Sequence, residues 1–261
     1  MDTPRLLAQT FLADHPENAA AIIERLEAGE AAAFFNQVPP RLAANTLRRM
    51  VGAPAAECLA ALSPDRFAAI LSLLPLDTAA GFFRRLDVSQ QSRLLNQSPA
   101  DIAPLLRRLL QYPEHTAGAL MDPRVLALPD DVAVSEALTR VRRAPRHALY
   151  YLYVVDRTEK LVGVLNLREL MLASPKDMLA SVMRRQVVAV AAHADRRGIV
   201  EHPGWRVVHA LPVVDDQGTL LGVLRYETLR RLEEKLDAPA PTGGALSTVL
   251  NLGELCWVGL A

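Results

Sequence analysis

Short amphipathic segments recur along the N-terminal part of the chain, up to about residue 110, and their apolar positions follow the spacing of an α-helix. Phe67, Ile70, Leu71 and Leu74 lie at i, i+3, i+4 and i+7. The same kind of stripe is formed by Leu94, Ile102, Leu105, Leu106 and Leu109. Because a one-sided helix must bury its apolar stripe against a neighbour, the pattern predicts stacked helical hairpins.

Proline or a residue favoured at helix N-termini opens each of these segments. The openings are His15-Pro16, Pro39-Pro40, Ser63-Pro64, Pro75-Leu76, Asp87-Val88 and Ser98-Pro99. Proline suits the first helical turn, where its missing N–H is not needed. Their recurrence at intervals of roughly 10 to 14 residues predicts an all-α superhelix over residues 1–111.

The pattern changes after Tyr112, where β-branched and aromatic runs indicate strands. Such runs cover residues 125–128, 150–155 and 161–165. Helical segments from Val134 to Arg143 and from Asn166 to Ala173 lie between and after them. The predicted unit is therefore strand, helix, strand, strand, helix.

This unit is present twice. Val154-Val155-Asp156 with Gly163 recurs as Val213-Val214-Asp215 with Gly222, at a constant offset (215 − 156 and 222 − 163 both give 59). Each Asp can begin a hairpin turn, and each Gly permits close backbone approach. The sequence thus predicts an α+β multidomain protein with a helical domain at 1–111 and two repeated modules at 112–178 and 179–236.

Composition and charge restrict the classes of function. Lys+Arg and Asp+Glu number 29 each, so no net field favours nucleic acid as a partner. Cys58 and Cys256 have no CxxC spacing and predict reduced thiols in the cytoplasm. Residues 237–261 have the composition of a linker followed by a short apolar tail, which is too polar to span a membrane.

The motifs of common catalytic sites are missing from the sequence. It contains no GxSxG, no HExxH and no glycine-rich phosphate loop. We therefore expect a protein without enzymatic activity.

The repeated modules resemble CBS domains, which pair in tandem and often bind adenosyl nucleotides. The stretch Tyr112-Pro113-Glu114-His115-Thr116-Ala117-Gly118-Ala119-Leu120-Met121 and the run from Tyr150 to Asp156 are similar to parts of MgtE-type magnesium transporters. In that family a helical N domain precedes the CBS pair. The resemblance covers about residues 15–236 and implies a cytoplasmic homodimer joined through the CBS domains, with a membrane transporter or another protein as partner.

The resemblance also implies a role for magnesium, which carboxylates of the family's cytosolic part share. Glu114, Asp195 and Glu227 are the candidate Mg²⁺ ligands that it indicates here. The chain departs from the family nearby. His115 replaces the usual Asp, and Pro203 interrupts the segment after Asp195.

A nucleotide site is implied in the first module. There Tyr151 would lie against the adenine base, and Asn166-Leu167-Arg168-Glu169 would place Arg168 and Glu169 near ribose and phosphate. In the second module Thr228 stands where the ribose-binding carboxylate is expected.

Taken together, these features predict a regulatory module that responds to Mg²⁺ or to an adenine nucleotide by changing its domain packing. Two alternatives remain open. The chain could be a ligand-free helical scaffold that dimerises through degenerate CBS domains. It could also be a truncated regulatory region of a transporter, which predicts an adjoining membrane segment encoded downstream. In the regulatory module, the tail from Leu246 to Leu260 could dock on a partner or on the dimer, or be the remnant of a lost membrane domain.

Overall fold

The computed structural model describes residues 3–143 and 151–237, which form two compact units divided between Leu110 and Gln111. Tyr150, Cys256 and the apolar tail belong to the remainder of the chain, so the predictions made for them fall outside the described residues.

The first unit is entirely helical in its described part. Its helices are α1 (Thr3–Asp14), α2 (Pro16–Ile23), α3 (Ala28–Gln37), α4 (Pro40–Leu47), α5 (Gly52–Ala61), α6 (Pro64–Leu71), α7 (Leu76–Phe83), α8 (Val88–Gln97) and α9 (Ala103–Leu110). The starts of α2 to α8 are evenly spaced along the chain (28 − 16, 52 − 40 and 88 − 76 all give 12). The predicted repeat is confirmed, with a period more regular than the openings alone indicate.

The helices stack in two alternating rows. α2 packs on α4 and α4 on α6, while α3 packs on α5 and α5 on α7. Buried alanines allow the helices to approach closely, and buried Phe35, Phe67 and Phe83 fill the space between them. The rings of Phe67 and Phe83 lie 6.4 Å apart between centroids. The stacked hairpins predicted from the apolar stripes are therefore confirmed.

Capping by side chains is less common than the openings predict. Asp87 does cap α8, because its carboxylate accepts a hydrogen bond of 2.8 Å from the Gln90 N–H. Ser63 makes no such bond to α6, and its hydroxyl donates instead to Asn36 Oδ1 at 3.2 Å. In α2, α4 and α6, proline in the first turn is the feature that marks the start.

Arginines satisfy carbonyl groups at helix C-termini elsewhere in the stack. Arg66 donates to the carbonyls of Phe35 and Val38 at the end of α3, and Arg93 donates to the Ala60 carbonyl near the end of α5. Cys58 is fully buried and forms no disulfide, and its burial raises the thiol pKa to about 12. The interpretation of Cys58 as a buried core residue is confirmed.

The second unit contains two small mixed sheets. In the first copy, the short helix α10 (Ala117–Leu120) precedes β1 (Ala127–Pro129), α11 (Val134–Arg143), β2 (Tyr151–Val155), β3 (Leu161–Asn166) and α12 (Leu167–Leu172). In the second copy, α13 (Leu179–Val182) precedes β4 (Val190–Ala191), α14 (Arg196–Val200), β5 (Ala210–Val214), β6 (Leu220–Arg225) and α15 (Tyr226–Asp237). Each sheet has a parallel pair followed by an antiparallel pair.

The two copies repeat each other in register. Leu152 pairs with Leu165 in the first sheet, and Leu211 pairs with Leu224 in the second, at the same offset as the sequence repeat (211 − 152 is 59). The predicted turns also agree. Asp156 accepts backbone hydrogen bonds from Thr158 and Lys160, at 2.8 and 3.0 Å. Asp215 holds the equivalent turn by accepting from Gln217 and Thr219, at 2.9 and 2.8 Å.

Each copy also contributes backbone pairing to the other. Asp122, ahead of β1, bridges Val223 in β6, and Arg184, ahead of β4, bridges Val164 in β3. Each contact has a glycine beside it. The predicted close backbone approach is present at Gly222, whereas the neighbour of Gly163 is the side chain of Met183. A Cβ on Gly163 would overlap Met183 Sδ, and one on Gly222 would lie 2.8 Å from the Asp122 carbonyl oxygen.

The interruption predicted at Pro203 is present. The helix α14, which Asp195 caps, ends at Val200, and a 3-10 helix (Pro203–Arg206) follows. Trp205 in this short helix donates from Nε1 to the Ile199 carbonyl at 2.7 Å. The second copy thus has a short, proline-broken connection where the first has the longer continuous helix α11.

Candidate functional site

The residues proposed for nucleotide binding gather where β2 and β3 of the first copy meet α12. Tyr151, the first residue of β2, pairs with Asn166, the last residue of β3. Its ring is half-buried, and the ring centroid lies 6.4 Å from that of buried Tyr153. A flat aromatic surface is therefore held next to the start of α12.

Asn166 and Glu169 form a reciprocal capping box at the start of α12. Asn166 Oδ1 accepts from the Glu169 N–H at 2.8 Å, and Glu169 Oε2 accepts from the Asn166 N–H at 2.9 Å. This explains the Asn-x-x-Glu spacing by local structure. The box also fixes the carboxylate of Glu169 next to the strand pair that carries Tyr151.

Glu169 has a second partner that the sequence did not indicate. Its Oε1 forms an ion pair with Arg184, which precedes β4 in the second copy. Arg168 is exposed on the first turn of α12. The arrangement therefore combines an aromatic ring, one fixed carboxylate and two guanidinium groups.

The second copy lacks this combination at its equivalent positions. Ala210 stands where Tyr151 does, and Thr228 stands where Glu169 does (210 − 151 and 228 − 169 are both 59). Thr228 is buried, and its hydroxyl accepts from Arg231 Nη2 at 3.2 Å. Arg225, equivalent to Asn166, pairs with Asp122 at 3.0 Å.

The side chains of Arg225 and Asp122 are 23% and 17% exposed, so the pair is well shielded from water. Asp122 also accepts from the N–H and Nε of Arg124, at 3.0 and 3.1 Å. Arg225 of the second copy is thus neutralised by Asp122 of the first, a pair that the sequence did not indicate.

The three candidate magnesium ligands are exposed in the structure. Asp195 caps α14 by accepting from the Gly198 N–H at 2.8 Å, and Glu227 lies in the first turn of α15. Glu114 lies in the turn before α10. Among residues 3–143 and 151–237, no group of three or more His, Cys, Asp or Glu side chains is arranged to hold a metal ion. Their assignment as Mg²⁺ ligands stays a prediction.

His115 adopts a left-handed backbone conformation, with φ 71°. It occupies the turn that the Thr116 N–H closes on the Pro113 carbonyl at 3.2 Å. The residue that departs from the expected acidic pattern therefore has a conformational role in the segment that leads to α10.

A helical repeat followed by a tandem CBS pair is the architecture of a regulatory module. The comparisons agree with this architecture. The model of the MgtE intracellular N domain matches residues 14–115, and the CBS domain model matches residues 117–176 and 179–235. The chain belongs to the MgtE family, and it matches the cytosolic part of that architecture. The predicted family, fold class and cytoplasmic location are confirmed by these matches.

Similar proteins include two magnesium transporters called MgtE. The one from Thermus thermophilus is 32% identical over 85% of this chain and 51% of its own length. The one from Bacillus subtilis is 22% identical over 85% of this chain and 54% of its own length. The chain therefore spans about half the length of these relatives.

No helix in the described ranges is long and apolar enough to cross a membrane.

A solved structure has a fold similar to that of this chain. The crystal structure of the cytosolic domain of the Mg²⁺ channel MgtE, in complex with ATP, has a TM-score of 0.73 and 30% identity to this chain. The match covers 86% of this chain and 93% of that one. The likeness therefore extends over both the helical repeat and the CBS pair.

Proposed function

We propose that this chain is a non-catalytic regulatory module that binds an adenine nucleotide in the first CBS copy. The observation that carries the proposal is the placement of Tyr151 beside the Asn166–Glu169 capping box. The ring supplies a stacking surface for the base, and the fixed carboxylate supplies an acceptor for ribose hydroxyl groups. A relative that shares 30% identity was crystallised with ATP, which supports the choice of ligand.

The second copy is expected to stay empty. There Arg225 is already neutralised by Asp122 of the first copy, and Ala210 offers no ring. We therefore propose one nucleotide per chain.

Titration calorimetry with ATP, ADP and AMP tests this proposal directly. Tyr151→Ala should weaken binding about fivefold or more, since aromatic contacts of this kind contribute about 1 kcal/mol or more. Tyr226→Ala provides a matched control, because Tyr226 is a 41% exposed tyrosine of the second copy, at the start of α15. The proposal fails if wild-type protein binds none of the three nucleotides.

Regulation requires that the ligand prefer one arrangement of the protein over another. We propose that nucleotide binding changes domain packing and that the responding partner is a membrane transporter. Small-angle scattering with and without ATP tests the first part, since a change of packing alters the radius of gyration. Identical scattering curves at saturating nucleotide would contradict it.

Magnesium remains the other candidate signal through Glu114, Asp195 and Glu227. A hard dication needs several oxygen ligands. The described residues bring no three candidate ligand side chains together, so a magnesium site at these acids would need additional oxygen ligands. Thermal unfolding with EDTA and with millimolar Mg²⁺, both without nucleotide, separates the two signals. A rise in Tm with Mg²⁺ alone would support a magnesium sensor.

A dimerising scaffold is the second candidate function, and the surface of α12 favours it. Met171 and Leu172 are 67% and 76% exposed, and Leu167 beside them is 37% exposed. We propose that this apolar surface contacts a second copy of the chain. Light scattering should show that Met171→Glu shifts the protein from dimer to monomer, whereas Val88→Glu, at an 82% exposed position of the helical unit, does not.

A further inference from the structure

Arg184 reaches the proposed nucleotide site from the other copy of the repeat. Its N–H donates to the Val164 carbonyl, and the Val164 N–H donates to the Arg184 carbonyl, each at 3.0 Å. The preceding residue, Met183, packs against Gly163. The backbone of Arg184 is therefore fixed against β3, close to the point where that strand ends at Asn166.

The side chain of Arg184 is held far less firmly than its backbone. It is 70% exposed, while that of its partner Glu169 is 26% exposed. The guanidinium consequently lies on the solvent side of a carboxylate that the capping box keeps in place. An ion pair this exposed contributes little to stability, so the guanidinium can exchange Glu169 for another anion at small cost.

The chemistry of the pair fits the two polar ends of a nucleotide. Ribose hydroxyl groups can donate to the carboxylate of Glu169, and the guanidinium presents a planar set of donors that suits phosphate oxygens. Arg168, exposed on the same turn as Glu169, supplies a second cation. A monophosphate is short, whereas a longer phosphate chain can contact both guanidinium groups.

We propose that Arg184 is the residue that selects nucleotides by the length of their phosphate chain. In the empty site Arg184 forms an ion pair with Glu169. In the occupied site Glu169 binds the ribose hydroxyl groups, and Arg184 binds the terminal phosphates. This inference rests on the proposed nucleotide site and adds a binding residue contributed by the second copy.

The residue equivalent to Arg184 supports the assignment. It is Asp122, which the first copy contributes beside β6 of the second (184 − 122 is 62, as 183 − 121 is for the preceding methionines). A carboxylate would repel phosphate where Arg184 attracts it. The two copies therefore differ in sign at the place that would face a phosphate chain.

Calorimetric titration of the full chain with ATP and with AMP tests the inference. Arg184→Ala should lower ATP affinity about tenfold, the usual value of one charge-assisted contact, and leave AMP affinity unchanged or higher. Arg185→Ala is the control, because Arg185 is an exposed neighbour of the same charge whose guanidinium donates to the Ala180 carbonyl. Its ratio of ATP to AMP affinity should match that of wild type.

The outcomes separate this inference from the proposed function. Wild-type protein that binds no nucleotide overturns both. Wild-type binding with an unchanged affinity ratio in Arg184→Ala, or an equal loss in Arg185→Ala, overturns only the role of Arg184. Arg184→Gln, which keeps much of the length and polarity of the side chain, repeats the measurement if the alanine variant is poorly folded, as shown by circular dichroism.

Discussion

Met121 and Met183 occupy equivalent positions in the CBS pair, each packed over a glycine that belongs to the other copy. Met121 lies over Gly222 and Met183 over Gly163. The methionines and the glycines have slightly different offsets (183 − 121 is 62, whereas 222 − 163 is 59). The segment before β1 of the first copy thus packs on the second copy, and the segment before β4 of the second copy packs on the first. The two copies cannot be separated without breaking both contacts.

Gly163→Ala is expected to destabilise the protein by about 1–3 kcal/mol, because the new Cβ would overlap Met183. The double variant Gly163→Ala/Met183→Ala should lose less than the sum of its single changes, since the smaller side chain relieves the overlap. Denaturant unfolding measures all three free energies.

Gly29→Ala is the matched control, because nothing lies within 4 Å of a Cβ at that position of α3. Because Gly29 lies in the first turn of α3, the change should be neutral or stabilise the helix by up to about 0.5–1 kcal/mol. If Gly163→Ala lowered the free energy of unfolding no more than Gly29→Ala does, the close packing of Met183 on Gly163 would be contradicted.

Tyr153→Phe should leave stability unchanged or raise it by up to about 1 kcal/mol, because removing an unsatisfied polar atom avoids its desolvation cost. The ring is 3% exposed, and its hydroxyl has no hydrogen-bond partner among the described residues. Burial also raises the pKa of this phenol above its usual range, with Tyr151 adding to the effect. A loss of more than about 1 kcal/mol in urea unfolding would reveal a partner for the hydroxyl.

His115→Gly is expected to raise Tm, because the left-handed conformation at His115 costs a non-glycine residue about 1 kcal/mol. The gain is partly offset by the greater entropy of glycine in the unfolded chain. Calorimetry of His115→Gly beside His115→Ala isolates the conformational effect. Equal melting temperatures for the two variants would contradict it.

Acid should weaken the two hairpin turns together. The hydrogen bond from Thr158 lowers the pKa of Asp156, as do its backbone bonds. For Asp215, removal from water raises the pKa, but bonds from Thr219 and Gln217 outweigh this and lower it overall. A folded pKa below the unfolded value means that the stabilisation is present above the ordinary value of 3.8 and is lost as pH falls through the folded value.

The corresponding measurement is Tm across the acid range, from well below the ordinary carboxyl pKa to near neutrality, for wild type and for Asp156→Asn/Asp215→Asn. The variant should lose less stability on acidification than wild type. Parallel curves would show that the two carboxylates have the same pKa in the folded and unfolded states.

Local signals in the sequence predicted most of the fold. Pro16, Pro40 and Pro64 mark the starts of their helices, and the two Val-Val-Asp runs mark the duplication. The starts of α3 and α5, at Ala28 and Gly52, were not predicted because neither has a proline or a side-chain cap before it. A better signal is the Ala-Ala pair that recurs at the spacing of the helices, at 19–20, 31–32, 43–44 and 55–56 and again at 79–80.

The site could be predicted only in part. The resemblance to CBS domains implied that Tyr151, Asn166 and Glu169 share a site, and these residues belong to one strand pair and one helix turn. The ion-pair partners of Glu169 and Arg225 are Arg184 and Asp122, and each lies in a segment that packs on the other copy. Asp122 and Arg225 are far apart in the chain (225 − 122 is 103). Single-sequence patterns carry no information about such distant ion pairs.

The even spacing of the helix starts has a consequence for the order of folding. Each helix from α2 to α5 packs on the helix two places further along the chain, so the helical unit has a low contact order. The bridge between Asp122 and Val223, by contrast, closes a much longer loop (223 − 122 is 101). Closing a long loop costs conformational entropy before the contacts at its ends can stabilise the chain. We therefore expect the helical unit to fold first and the CBS pair to set the overall folding rate.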